Sequence, residues 1–110
     1  MDAVNVSERV RFQPERMAKI NLFDTPQLFF DVYCLESGQE QRAHVHEGAA
    51  KVYYVLAGEG EFLVGEERRR LGPGHAVLAP AGVVHGVANP GPERLTLLVT
   101  MAPNPNSPPR

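Results

Sequence analysis

The stretch GQEQRAHVHEGAAKVYYVLAG, residues 38–58, decides how this chain is read. It is bounded by Gly38 and Gly58, which fit turns where a side chain would crowd or where φ turns positive. Inside it, His44 and His46 stand at i and i+2. On a strand such a pair shares one face, so both imidazoles point the same way. Their near edges then lie close enough to hold one metal ion at ~2.0–2.2 Å from each nitrogen. A second stretch, GHAVLAPAGVVHGVAN, residues 74–89, adds His85. Its Pro80-Ala81-Gly82 makes a tight turn with φ preset at the proline. That turn is expected to re-aim the next strand, so that His85 faces the same interior as His44 and His46. Asn89, followed by Pro90-Gly91-Pro92, closes the strand.

Outward from these two stretches, glycine and proline mark the layout. All ten glycines lie between Gly38 and Gly91. Short runs rich in valine, leucine and aromatics alternate with them, the pattern of many short strands joined by tight turns. Strands are expected at 8–12, 17–23, 27–36, 41–46, 51–57, 61–64, 67–71, 75–79, 83–88 and 94–101. Residues 51–57 are apolar at both parities, which suits a strand buried between layers. Nine or ten strands at spacings of 8–12 residues indicate an all-β sandwich or barrel. Residues 103–110 hold four prolines in eight positions and read as an extended or disordered tail without a core face.

Composition bounds the rest. A chain of 110 residues makes one domain and buries roughly 60–70% of its unfolded surface. A net charge of −2 gives no general attraction to nucleic acid or anionic lipid. The basic run Arg68-Arg69-Arg70 follows Glu66-Glu67 and reads as a solvated hairpin. Cys34 is the single cysteine, so no intramolecular disulfide forms, and it reads as a small buried hydrophobe. No signal peptide and no membrane-spanning stretch is read, and the expected location is cytoplasmic.

The two histidine stretches, with their glycines, Pro80 and Asn89, resemble the two motifs of the cupin superfamily, in order and separation, over Gly38–Asn89. The resemblance implies a small single-domain cupin: a double-stranded β-helix, or jelly-roll barrel, at 27–102. The strands of 1–26 would precede it and the proline-rich tail of 103–110 would follow. Val10, Phe12, Ile20, Leu22 and Phe23 have no evident partner inside a minimal barrel, so residues 1–26 are expected to form a homodimer. The resemblance also implies that His44, His46 and His85 are metal ligands. Three imidazoles suit a divalent transition metal such as Fe, Mn, Zn, Ni or Cu. His75, in the Pro73-Gly74 turn, reads as a surface residue.

One position departs from the family pattern. Lys51 stands where the family usually has glutamate, and an ammonium cannot coordinate a cation. Three outcomes stay open. Three histidines plus water hold the metal, with Lys51 turned aside. The site has lost its metal. Or Lys51 binds or reacts with an anionic or carbonyl ligand. Glu47, beside His46, has the wrong strand parity to replace the missing carboxylate unless its turn rotates it. Tyr53 shares parity with Lys51, and Phe62 is expected to face the same cavity from the next strand. Two functions follow from the resemblance. One is a metal-dependent dioxygenase, isomerase or epimerase of a small organic molecule. The other is a non-catalytic barrel binding a sugar or organic anion, with Lys51 as its anchor.

Overall fold

Residues 1–107 are described in the structure, a computed structural model. Nine strands follow a short 3-10 turn at Val6–Glu8: β1 (Ala18–Asp24), β2 (Phe29–Leu35), β3 (Glu40–His44), β4 (Ala50–Ala57), β5 (Gly60–Val64), β6 (Glu67–Leu71), β7 (Ala76–Ala79), β8 (His85–Ala88) and β9 (Leu95–Ala102). They form two antiparallel sheets, β1-β2-β9-β4-β7 and β3-β8-β5-β6. This is the expected all-β jelly roll. Among the described residues, no helix is long and apolar enough to cross a membrane.

Alternation along the strands builds the core. Tyr33 and Leu35 on β2, Tyr53 and Val55 on β4, Phe62 on β5, Val87 on β8, and Leu97, Val99 and Met101 on β9 meet between the sheets. Each fully buried aliphatic side chain contributes about 1.5–3 kcal/mol. Asn89 ties the ends of the sandwich together. It is buried, and its Nδ2 donates to the carbonyls of Leu35 at 3.0 Å and Glu93 at 2.8 Å.

Three expectations need correction. Residues 8–12 form no strand. They follow the 3-10 turn, and Val6, Val10 and Phe12 lie over the outer face of β1 and β2, against Ile20, Leu22, Val32 and Cys34. Phe23 joins the same cluster, so Val10, Phe12, Ile20, Leu22 and Phe23 have partners within their own chain. That cover explains why β2 is apolar at both parities. β4 is not sandwiched between layers: Tyr54 and Leu56 on its outer face are exposed, as is Leu78 on neighbouring β7. Finally, the first part of the proline-rich tail docks on the barrel. Asn104 is buried, and its Nδ2 donates to Asp24 Oδ1 at 2.6 Å and to the Thr25 carbonyl at 2.9 Å. Pro108 and Pro109 lie outside the described residues.

Candidate functional site

β3 and β8 pair antiparallel, with His44 opposite His85. Two local features produce this. Gly86 lets the β3 backbone approach closely, because a Cβ there would stand 2.9 Å from the Gln41 carbonyl oxygen and 3.1 Å from Ala43 Cα. The Pro80–Gly82 turn is pinned to the histidine pair: the Gly82 amide, in a residue with φ of +78°, donates to the His46 carbonyl at 2.8 Å.

The three imidazoles converge. Ring centroids are 4.7 Å apart for His44 and His46, 4.4 Å for His44 and His85, and 5.7 Å for His46 and His85. One nitrogen from each lies within 4.8 Å of the other two. A carbonyl oxygen can only accept a hydrogen bond. His44 Nδ1 must therefore donate to the Arg42 carbonyl at 2.8 Å, and His85 Nδ1 to the Val83 carbonyl at 3.0 Å. Their protons thus sit on Nδ1, which leaves the Nε2 lone pairs free. His85 Nε2 is buried with no hydrogen-bond partner. Desolvation, the largest cause, pushes the pKa of His46 and of His85 below the ordinary imidazole value. Burial thus favours the neutral form of both rings, the form that binds a metal. The residues present therefore fit a transition metal: three converging imidazoles, two of them oriented by backbone carbonyls, and one otherwise unsatisfied nitrogen.

Beside the imidazoles lies a chamber of about 340 Å³ at the mouth of the sandwich. Lys51 lines it and is 1% exposed. Its Nζ donates to Gln41 Oε1 at 3.0 Å and sits 5.2 Å from the centre of the Tyr33 ring and 5.1 Å from that of Tyr53. Burial, and then the charge of Lys19, push its pKa down to about 7. Tyr53 is wholly buried and donates its hydroxyl to the same Gln41 oxygen at 3.2 Å. Phe62 packs on Tyr53 in the core, with ring centres 5.3 Å apart, and borders a separate cavity between β5, β6 and β7. Glu47 is exposed, its carboxylate near Gly82, and it does not join the imidazole cluster. His75 is exposed in its turn, where Nδ1 donates to the Gly72 carbonyl at 2.9 Å.

Sequence reasoning missed several residues of the chamber: Gln41, Lys19, Asp31, Tyr33 and Asn106. Gln41 has a findable cause. β3 carries one extra residue between Gln41 and His44, opposite Val87 and His85. Such a bulge reverses strand parity, so Gln41 and His44 both face inward though three positions apart.

Comparison with known proteins agrees with this architecture. Residues 31–101 match the family described as Cupin domain. The protein TT1209 from Thermus thermophilus superposes with a TM-score of 0.93 at 47% identity, over 96% of this chain and 100% of that one. A Klebsiella pneumoniae protein with a double-stranded β-helix domain superposes with a TM-score of 0.88 at 28% identity, over 97% and 94% of the two chains. The dimethylsulfoniopropionate lyase DddQ of Ruegeria pomeroyi is 51% identical over 43 residues, which is 38% of this chain. This chain matches 21% of that curated relative's length.

Proposed function

The chain belongs to the cupin family, and from that premise we propose that it is a small metal-binding cupin acting on a small organic molecule. In this reading His44, His46 and His85 hold one divalent transition metal, and the chamber beside them receives the ligand. The observation that carries it is the buried, unpartnered His85 Nε2 facing two further imidazoles. A metal bound there supplies Lewis-acid polarisation of a ligand oxygen. The chain's own groups do the rest. The Arg42 and Val83 carbonyls fix two ring orientations. Lys51 and Gln41 line the chamber, and Tyr53, buried behind them and outside the lining, donates to the same Gln41 oxygen as Lys51. Oxygenation and isomerisation are the reaction classes proposed. Metal titration of the chelator-stripped protein tests the reading: the wild type takes up one equivalent per chain, and His85→Ala takes up none while still folded.

Non-catalytic ligand binding is a second reading, favoured by one observation. Lys51 occupies the position where the cupin pattern places a carboxylate, and it is buried in the chamber rather than turned to solvent. Screening for turnover on metal-loaded protein separates the two readings. Pairing of two chains is a further part of the proposal. The exposed outer face of β4 and β7 supports it better than the N-terminal segment, where Val6, Val10, Phe12 and Phe23 pack within the chain.

A further inference from the structure

Lys51 is 1% exposed, yet no carboxylate lies within ion-pairing distance of it among the described residues. Its one hydrogen-bond acceptor is a neutral amide oxygen, Gln41 Oε1. Its Nζ also faces the rings of Tyr33 and Tyr53, and Asp31 acts on it only at longer range. A buried charge without a counter-charge costs several kcal/mol, and folded proteins ordinarily pair it. A second ammonium stands close by: Lys19 lies 5.5 Å from the Tyr33 ring centre and lines the same chamber. It too makes no ion pair among the described residues. The one acidic group lining the chamber is Asp31, whose Oδ1 accepts from Asn21 Nδ2 at 2.8 Å. With Lys51 protonated, two ammoniums against one carboxylate leave the chamber with positive charge to spare, and a bound carboxylate favours that protonated form. Asn106, from the docked tail, adds an amide to its wall.

We propose that this chamber takes a short carboxylic acid whose carboxylate pairs with Lys51, assisted by Lys19, and whose hydroxyl or oxo oxygen reaches the three imidazoles' metal. The volume of about 340 Å³ lies at the small end of the range for ligand pockets and suits a molecule of a few carbons. The carboxylate half stands on the lysines alone. The hydroxyl or oxo half rests on the metal-binding reading above. In this arrangement the lysine at the carboxylate position does not abolish the site: it changes what the site selects.

The test uses the full chain, stripped of metal, with malate and its neutral diamide, malamide, as probes. Binding is followed by amide chemical shifts at fixed ionic strength. Malate is expected to saturate, with shifts centred on Lys51, Gln41 and Tyr33, and malamide to bind at least tenfold more weakly. Lys51→Met is expected to weaken malate at least tenfold, and Lys19→Met by a smaller factor. Equal binding of malate and malamide, or no saturable malate binding, overturns the proposal without needing any variant to fold. Wild-type malate affinity in a folded Lys51→Met also overturns it. Failure here is distinct from failure of the metal reading. Metal uptake without carboxylate selectivity removes only this proposal, and carboxylate selectivity without metal uptake removes the metal and the hydroxyl or oxo half while leaving the carboxylate half.

Discussion

Lys51 is where the chemistry of this chain is concentrated. Its ammonium is held among two phenol rings and one amide oxygen, and burial lowers its pKa from 10.5 to about 7. The unfolded chain therefore binds one more proton than the native state between pH 7 and 10.5, so stability rises with pH across that window. Buried Tyr33 and Tyr53, whose pKa values are pushed above the ordinary phenol value, reverse the trend above about pH 10. In metal-free protein the slope from pH 7 to 10 is expected to be on the order of 1 kcal/mol per pH unit, which moves the melting temperature by several degrees. Lys51→Met is expected to flatten it. Equal slopes in the two proteins would show that Lys51 keeps its ordinary pKa in the fold. The proposed metal site gives the same residue a second test. Lys51→Glu restores the usual cupin carboxylate and removes a nearby cation, so metal is expected to bind at least tenfold more tightly in a competition titration. Unchanged affinity would place the Lys51 side chain outside the reach of the metal.

At the scale of elements, turns and bulges do the positioning. Gly58, between β4 and β5, has φ of +82°, and a Cβ there would run into the Arg94 carbonyl oxygen and stand 2.9 Å from Leu95 Cα. Gly58→Ala is expected to cost at least about 2 kcal/mol in urea unfolding. Gly48→Ala, where a Cβ meets nothing within 4 Å, is expected to stay within about 0.5 kcal/mol. Comparable losses at both positions would mean that the close approach at Gly58 does not set the cost. Most strand positions were legible because periodicity and turn residues are local signals, and the histidine triad because its two stretches resemble the cupin motifs. Gln41 was not, since its inward direction depends on a bulge that only the pairing of β3 with β8 defines. Asn106 was not either: its place on the chamber wall follows Asn104, which bonds across the fold to Asp24 and Thr25. Contacts that far apart in sequence leave no periodic trace.

Across the whole molecule, the outer face of the larger sheet is covered at one side and bare at the other. The N-terminal segment covers β1 and β2, where Val6, Val10 and Phe12 find Ile20, Leu22 and Val32. Tyr54, Leu56 and Leu78 stay 40%, 38% and 57% exposed on β4 and β7. The apolar residues of 1–26 suggested pairing because sequence shows hydrophobicity but not which face of the same chain satisfies it. A dimer formed through the uncovered strands is expected in sedimentation at tens of micromolar, and Leu78→Glu is expected to give monomer. A wild-type monomer at that concentration would remove the dimer from the proposal.

The central claim is that three histidines hold a metal although a lysine stands at the usual carboxylate position. Its most direct test is elemental analysis of untagged protein purified without chelator, then reconstituted, beside folded His85→Ala. The expected result is near one equivalent of a divalent transition metal per wild-type chain and none in the variant. A wild type that stays metal-free after reconstitution, or a variant that binds as much, would contradict it.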